Sequence, residues 1–306
     1  MTTSQPRRRV AILGSGNIAT DLLSKVLRSR CLECSLFIGR NADSPGINRA
    51  RKLGVRTSVL GIDAIAREPD VCDIVFDATS AGDHPRHWAI LQRLGKMVID
   101  LTPSRKGHAC VPAVNLDECL RHQNISTITC GGQASIPLIH AISEVHENVD
   151  YIEVVSTIAS RSAGPATRLN IDEYVEATEA AVRAFSHTKA AKAILILNPV
   201  EPCIDMQTTV FAIVENPDLP ALTRRVEELV TRVRAYVPGY QLVLPPTFEG
   251  GRITTIVNVR GRGDYLPTYA GNLDIINCAA IACAEEYAAH SWSAPHSWTI
   301  EETRCG

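Results

Sequence analysis

The chain has 306 residues, of which 45% are hydrophobic and 21% charged, and its formal net charge is −2 at pH 7. This length allows one large or two ordinary domains with sizeable cores. The near-neutral charge does not favour nucleic acid or an anionic membrane as a partner. No apolar run approaches the ~18 residues that span a bilayer. Ten cysteines are too few for a disulfide scaffold, so we expect a cytoplasmic protein with reduced thiols.

The first half of the chain alternates short apolar runs with helical patterns. The predicted strands lie at 9–13, 35–38, 72–77, 96–101 and 125–129, and the predicted helices at 18–27, 48–53 and 85–94. Strands that alternate with helices at this interval indicate a parallel sheet covered on both faces. The pattern therefore predicts an α/β fold with a Rossmann-type doubly wound sheet over residues 1–130.

The second half has longer strands with fewer helices between them. Strands are predicted at 151–160, 191–197, 208–214, 241–245 and 252–259, and helices at 136–146, 171–186 and 218–235. This order predicts an α+β second domain with a mixed or antiparallel sheet over residues 131–271. An alanine-rich helix is predicted at 273–289, and residues 291–306 show no periodicity, which predicts a loose tail.

A glycine-rich turn joins the first predicted strand to the first helix. It reads Gly14-Ser15-Gly16-Asn17-Ile18-Ala19. Gly14 permits a tight turn, Gly16 lets the backbone approach a pyrophosphate, and a small residue at 19 allows close helix–strand packing. The free N–H groups at the helix start then bind the phosphates. Because the turn follows a strand and opens a helix, it predicts a dinucleotide site.

The sequence leaves the type of dinucleotide open. An acidic residue commonly ends the second strand of such a fold and holds the ribose hydroxyls. Here that segment reads Ile38-Gly39-Arg40-Asn41. Asn41 could hydrogen-bond a ribose hydroxyl, whereas Arg40 could pair with a 2′-phosphate. NAD is the first choice and NADP stays open.

Cys130 follows the fifth predicted strand and precedes Gly131 and Gly132. A helix N-terminus stabilises a thiolate, which is the nucleophilic form of cysteine. Glycine leaves backbone N–H groups unobstructed, so they could also stabilise an oxyanion. A nucleophilic cysteine beside a dinucleotide indicates aldehyde oxidation through a thioester. A buried inert cysteine is the alternative that these residues alone leave open.

Other segments carry weaker signals. Residues 160–170 form a polar loop of small residues that suits a ligand or an ordinary connection. Asn272 near the start of the last helix is a candidate ligand contact or a helix cap. Cys31 and Cys34 have C-x-x-C spacing without a second pair, and His84, His87 and His108 fit surface or supporting positions. We therefore predict no metal site.

Five motifs in order resemble the acylating acetaldehyde dehydrogenases, the partners of 4-hydroxy-2-oxovalerate aldolases. They are GSGNIATDLL, TCGGQASIP, SRSAGPATRLNIDEY, LNPVEP and YLPTYAGNLDI. The resemblance implies conversion of a short aldehyde, acetaldehyde or propionaldehyde, to its acyl-CoA with NAD and coenzyme A. It also implies a Rossmann domain completed by the C-terminal helix at about 272–290, a middle domain that forms a homodimer, and a complex with an aldolase that supplies the aldehyde through a channel.

The resemblance also implies roles for individual residues. Cys130 matches the acyl-carrying cysteine of the family, and Asn272 matches the asparagine at the nicotinamide end. The other cofactor-binding positions that it implies fall in two loops: Gly14, Ser15, Gly16, Asn17 and Ile18, and then Ser162, Ala163, Gly164, Pro165, Ala166, Thr167, Arg168, Leu169 and Asn170.

Three positions depart from the family pattern. Ala166 replaces a glycine, and the acidic residue expected near Asn41 is absent. After NPVEP the family commonly has Arg-Asp-Thr, whereas this chain has Gln207-Thr208-Thr209. A threonine cannot act as a base near neutral pH. Asp205, three residues before Thr208, would face the other side of a strand.

Three alternatives remain at this point. The chain could be a recruited biosynthetic relative that acts on a larger aldehyde or reduces an acyl-CoA. It could be a phosphate-dependent semialdehyde dehydrogenase, although those enzymes pair the cysteine with a histidine of the second domain, and His146 and His187 stand in no recognisable motif. It could also be a nucleotide-binding subunit that gates an aldolase.

Overall fold

The computed structural model describes residues 7–290, without the side chains of Pro165 and Ala166. Its first sheet is parallel throughout and has the order β3-β2-β1-β4-β5-β7-β6. The strands are β1 (Arg8–Leu13), β2 (Leu32–Ile38), β3 (Thr57–Ser58), β4 (Ile74–Asp77), β5 (Met97–Asp100), β6 (His108–Ala109) and β7 (Asn124–Ser126). The order reverses beside β1, and ligands bind at such a switch point in open α/β sheets.

Helices accompany the first sheet between its strands. They are α1 (Asn17–Arg28), α2 (Pro45–Lys52), α3 (Asp63–Arg67), α4 (His84–Arg93) and α5 (Pro112–Cys119). The predicted doubly wound parallel sheet is confirmed. The prediction missed β3, α3, β6 and α5, because these elements are shorter than the window of about 11–18 residues over which a periodicity can be recognised.

The second sheet is mixed and has the order β11-β12-β10-β8-β9. Its strands are β8 (Tyr151–Ala159), β9 (Ala190–Asn198), β10 (Met206–Ile213), β11 (Tyr240–Glu249) and β12 (Arg252–Val259), with helices α6 (Cys130–Val145), α7 (Pro165–Leu169), α8 (Ile171–Ser186) and α9 (Leu219–Tyr236). Only β8 and β9 pair in parallel. Alternate residues of β8 are buried, because one face of the strand packs on helices. The predicted second domain class is confirmed.

The last helix, α10 (Gly271–His290), returns to the first sheet. The amide of Asn277 donates to the carbonyl oxygen of Ile18 at 3.1 Å and to Asp21 at 2.8 Å, which fixes α10 against α1. Although α10 is long and alanine-rich, no helix within residues 7–290 is long and apolar enough to cross a membrane. The predicted tail at 291–306 lies outside the described residues.

Candidate active site

The glycine loop after β1 borders a cavity of about 460 Å³, here called the nucleotide cavity. Gly14 has φ +123°, and a Cβ there would overlap the carbonyl oxygen of Ala78. Gly16 is the N-cap of α1 and has open space where a Cβ would lie. Gly14, Ser15 and Gly16 line the cavity, and the N–H groups of the helix start suit an anion.

The segment that follows β2 carries a cation at the nucleotide cavity, and residues 38–41 include no carboxylate. Arg40 and Asn41 line it directly after β2. The Arg40 side chain is 80% exposed, and its Nη1 lies 3.6 Å from Oδ2 of Asp83. The Asn41 side-chain oxygen accepts the N–H of Asp43 at 2.9 Å. Asn41 and Arg40 therefore both remain at the cavity, one suited to a ribose hydroxyl and the other to a 2′-phosphate. The choice between NAD and NADP stays open, as it was in the sequence.

The helix that carries Cys130 begins at that residue, so the predicted start at 136 was wrong. The strand before it ends at Ser126, three residues earlier than predicted. Thr129 is the N-cap, and its Oγ1 accepts the N–H of Gly132 at 2.9 Å. Glycine costs little in a first helical turn, where N–H groups lack partners within the helix. The Cys130 thiol therefore lies at the positive end of α6.

The two glycines after Cys130 make room for protein atoms. A Cβ on Gly131 would overlap the phenol oxygen of Tyr174 and lie 2.9 Å from Oγ of Ser156. A Cβ on Gly132 would lie 2.9 Å from Cγ2 of Ile128. Gly131 thus brings the Tyr174 hydroxyl close to the thiol, with 3.8 Å between Sγ and the phenol oxygen.

Cys130 is half-buried and lines a second cavity of about 90 Å³, here called the thiol cavity. Thr79, Ser80 and Asn170 line both cavities, which are therefore neighbours. Asn272 also lines the thiol cavity, and its buried Oδ1 has no hydrogen-bond partner. A buried polar atom without a partner is costly, so this oxygen is well suited to a ligand N–H.

Comparison with known proteins decides the family. Residues 130–267 match the family model described as prokaryotic acetaldehyde dehydrogenase, dimerisation. The chain is 56% identical to an acetaldehyde dehydrogenase of Pectobacterium atrosepticum, over 93% of this chain and 97% of the relative. It is 57% identical to an acetaldehyde dehydrogenase of Spirochaeta aurantia, over 92% of this chain and 94% of that relative. This chain belongs to the acetaldehyde dehydrogenase family. The resemblance found in the sequence is confirmed, and the protein is an aldehyde-oxidising enzyme.

Two solved structures share the fold of this acetaldehyde dehydrogenase family member. Aspartate semialdehyde dehydrogenase II of Vibrio cholerae superposes with a TM-score of 0.59 at 14% identity, over 92% of this chain and 97% of that one. The NADP complex of the Candida albicans aspartate semialdehyde dehydrogenase superposes with a TM-score of 0.60 at 10% identity, over 91% of this chain and 99% of that one. At these identities the likeness concerns the fold alone.

In this dehydrogenase Arg168 holds the predicted second cofactor loop in shape. Its Nε donates to the carbonyl oxygen of Ala163 at 3.1 Å, and its Nη2 donates to the carbonyl and hydroxyl oxygens of Ser160 at 3.0 and 2.8 Å. The Ser162 hydroxyl donates to the carbonyl oxygen of Ala159 at 2.8 Å. These side chains stabilise the loop from within.

Other predicted residues of the loop lie at the cavities. Thr167 lines the thiol cavity, Leu169 the nucleotide cavity, and Asn170 both. Of the first loop, Ile18 lines the thiol cavity. A Cβ on Gly164 would lie 4.0 Å from Nδ2 of Asn17, so the two loops approach each other. The side chain of Ala166, which replaces the glycine of the family, lies outside the described residues. The side chain of Pro165 also lies outside them.

No carboxylate stands at the family's aspartate position, because Thr208 on β10 occupies it. Thr208 is fully buried, and its Oγ1 lies 3.1 Å from Oγ of Ser156. Asp205 lines a separate surface cavity with Arg161 and Glu201, so it is no substitute. Burial raises the pKa of the Cys130 thiol to about 11, opposed by its hydrogen bonds with Tyr174 and with backbone N–H groups.

Two of the histidines that the sequence placed at surface or supporting positions, His84 and His87, are buried. His84 lies between Asp77 and Asp100, with Nδ1 2.9 Å from Oδ2 of Asp77 and Nε2 3.5 Å from Oδ2 of Asp100. His87 Nδ1 lies 2.9 Å from the same Asp77 oxygen. The periodicity of α4 could not reveal this, because the partners come from β4 and β5. His108 lies elsewhere and stacks on His122.

Sequence reasoning also missed Tyr174 and Ser156 as site residues. Tyr174 stands four residues after Asn170 on α8, and Ser156 faces the buried side of β8. The available signal was weak: a serine inside an apolar strand and a tyrosine on a helix fit an ordinary core. Tyr174 becomes a site residue because it lines the thiol cavity and lies 3.8 Å from the Cys130 sulfur. Ser156 becomes one because its Oγ lies close to Gly131.

Proposed function

We propose that this enzyme oxidises a short aldehyde with a nicotinamide cofactor and coenzyme A, and that Cys130 carries the acyl group as a thioester. The observation that carries the proposal is the position of the Cys130 thiol. It lies at the start of α6 in a cavity next to the nucleotide cavity. Aldehyde and cofactor could therefore meet at the sulfur atom.

The residues present fit a nicotinamide dinucleotide. Gly14 and Gly16 provide a phosphate cradle at the start of α1, and Asn170 lies where the two cavities meet. The unpaired Oδ1 of Asn272 is an acceptor for the carboxamide N–H of a nicotinamide ring. The bound cofactor would accept a hydride; NAD stays our first choice and NADP is possible because of Arg40. The remaining residues of the two loops are proposed as cofactor-binding by resemblance alone.

The chemistry of Cys130 follows from these positions. The thiolate attacks the aldehyde carbonyl carbon, a C–S bond forms, and the carbonyl oxygen gains the negative charge. Backbone N–H groups of the first turn of α6 stabilise that oxygen. A bound nicotinamide would take the hydride from this carbon, and Cys130 would then hold the acyl group as a thioester. The thiolate of coenzyme A then attacks the thioester, the Cys130 C–S bond breaks, and acyl-CoA leaves.

The size of the thiol cavity supports a small substrate. Its volume of about 90 Å³ and its apolar lining by Leu101, Ile158 and Leu195 suit a short aldehyde such as acetaldehyde or propionaldehyde. These features favour the short-chain function over the larger aldehydes of a recruited biosynthetic relative.

We also propose a homodimer formed by the second domain. The matching family model is a dimerisation domain, and large apolar side chains of the second sheet are exposed, such as Ile196, Ile213, Val243 and Phe248. The domain limits 1–130 and 131–271, with α10 completing the first domain, remain a proposal. The aldolase complex rests on the resemblance alone.

The proposal is tested with purified protein, a panel of aldehydes, NAD or NADP, and coenzyme A or phosphate. We expect reduced cofactor at 340 nm only when coenzyme A and a two- or three-carbon aldehyde are both present. Reduction that requires phosphate or arsenate would favour a semialdehyde-type reaction. Absence of coenzyme A-dependent turnover with every aldehyde would refute the proposal.

The two glycines of the first loop give contrasting predictions. Gly14→Ala forces a Cβ onto the Ala78 carbonyl at φ +123°, so we expect a loss of about 1–3 kcal/mol in the free energy of unfolding together with weaker cofactor binding. Gly16→Ala meets no protein atom and should keep its stability while cofactor affinity falls at least about tenfold. Thermal unfolding and fluorescence titration measure both.

Gly82→Ala is the matched control for this pair. Gly82 is exposed, and a Cβ there meets no atom within 4 Å. It should change neither stability nor cofactor affinity. Unchanged affinity in Gly16→Ala would contradict the phosphate-cradle assignment.

A further inference from the structure

A row of three hydroxyl groups runs from β10 to the Cys130 thiol. Thr208 Oγ1 lies 3.1 Å from Ser156 Oγ. Ser156 Oγ and the Tyr174 phenol oxygen both face Gly131, where a Cβ would lie 2.9 Å from the serine oxygen and would overlap the phenol oxygen. The phenol oxygen lies 3.8 Å from the Cys130 sulfur. Thr208, Ser156 and Tyr174 are buried, so each depends on its protein partners for hydrogen bonds.

The turn of α8 that carries Tyr174 is connected to the cap of α6 by hydrogen bonds. The Thr178 hydroxyl donates to the carbonyl oxygen of Tyr174 at 2.7 Å. The Thr129 hydroxyl, 2.8 Å from Thr178 Oγ1, therefore donates to it, and Thr129 accepts the N–H of Gly132. The residue that caps the nucleophile's helix thus also anchors the helix turn that carries the phenol.

The direction of the donors follows from what each group can give. A thiolate has no proton, so the Tyr174 O–H must donate to it, and the phenol oxygen is then free to accept from Ser156. The Ser156 oxygen in turn accepts from Thr208. A carboxylate at position 208 only accepts, and it would draw the Ser156 proton away from the phenol. Threonine at this position is what allows all three hydroxyls to point towards the sulfur.

We infer that Tyr174 is a catalytic residue that stabilises the Cys130 thiolate at the end of the donor chain Thr208–Ser156–Tyr174, and that this chain replaces a carboxylate base. The inference rests on the proposed function, in which Cys130 is the nucleophile. A hydrogen bond to the charged sulfur is stronger than one between neutral groups. It is strengthened further when the donor hydroxyl itself accepts a hydrogen bond from another hydroxyl. The phenol keeps its proton, and the thiol proton leaves to solvent through the thiol cavity.

No other titratable side chain lines the thiol cavity among the described residues. Besides Cys130 and Tyr174, the elements around it contribute apolar groups, hydroxyls and the amides of Asn170 and Asn272. These elements are α1, α7, α8, α10, β8, β9 and the loops after β4, β5 and β7. Burial raises the pKa of Tyr174 well above its usual range, so the phenol stays a donor at working pH. A pH profile of thiol reactivity therefore reports on Cys130 itself.

Tyr174→Phe tests the inference directly. Iodoacetamide labelling of Cys130, followed by peptide mass spectrometry between pH 6 and 10 without aldehyde, cofactor or coenzyme A, gives a labelling rate that is proportional to the thiolate fraction. We expect the rate profile of Tyr174→Phe to shift to alkaline pH, so that the rate at each pH falls about tenfold to hundredfold, because a hydrogen bond to a charged group is lost. Ser156→Ala should shift the profile less, and Thr208→Val least. The rate constant kcat/KM at pH 7 should fall roughly tenfold to hundredfold in Tyr174→Phe.

Tyr240→Phe is the matched control. The Tyr240 hydroxyl donates to the carbonyl oxygen of Ala134 on the same helix α6 at 2.7 Å, away from the sulfur. It should lower thermal stability and leave the labelling profile unchanged. A Tyr174→Phe profile that superposes on the wild type would overturn the inference, and so would a Thr208→Val shift as large as that of Tyr174→Phe. Because labelling needs no substrate, failure of the proposed acyl transfer would be seen separately in the aldehyde panel.

Discussion

Replacing Cys130 by serine is expected to lower aldehyde oxidation by at least about 10⁴-fold. The serine hydroxyl keeps the size and place of the thiol at the start of α6, but it ionises far less readily and forms no thioester. Cofactor binding should persist, because the glycine loop and Asn272 are untouched. The measurements are coenzyme A-dependent cofactor reduction and cofactor titration on the same preparation.

Cys203→Ser is the control for this variant. Cys203 is another half-buried thiol, but it lines a different cavity, with Arg161 and Glu201. It should retain full activity. If Cys130→Ser were equally active, Cys130 would not carry the acyl group. A nucleotide-binding subunit with little chemistry of its own would instead show no cofactor reduction in either the wild type or the variant.

Replacing Lys25 by methionine is expected to reduce the free energy of unfolding by about 3–5 kcal/mol. Lys25 Nζ is buried 2.6 Å from carboxylate oxygens of both Asp21 and Asp274, and 3.1 Å from Asp264. Burial alone would lower the pKa of Lys25, but the carboxylates of Asp274 and Asp21 raise it. Without the ammonium group, these carboxylates lose their compensation at the contact between α1 and α10. Urea unfolding at pH 7 measures the change.

The pH dependence of this cluster has a definite sign. Arg28, together with Lys25 and despite burial, lowers the pKa of Asp264 to about 2. Since this folded-state pKa is depressed, the stabilisation from Asp264 is complete above about pH 4 and is lost as the pH falls towards 2. Lys189→Met is the control. The Lys189 side chain is 76% exposed and pairs with Asp150 at 2.7 Å, and its loss should leave the free energy of unfolding nearly unchanged because exposed ion pairs contribute little. If Lys25→Met lowered the free energy of unfolding as little as Lys189→Met does, Lys25 would not be the group that compensates the buried carboxylates.

Local signals in the sequence led to much of the site. The glycine loop could be recognised because one short stretch, Gly14 to Ala19, contains the turn, the helix start and the small packing residue. The start of α6 was predicted wrongly although a local signal existed, since Thr129 is a suitable N-cap for Gly132. The low helix propensity of two glycines concealed it. Glycine is tolerated there because first-turn N–H groups need no helical partner.

The sequence alone determined the class of fold, the order of its two sheets along the chain, the glycine loop and the cysteine, because each is written in the spacing of nearby residues. Only the tertiary structure decided which distant side chains meet them. Tyr174 lies 44 positions from Cys130, Thr208 lies 52 from Ser156, and Asp274 lies 249 from Lys25. Periodicity reports which face of an element is buried. It does not report which partner another element brings to that face, and in this enzyme those partners set the state of the thiol.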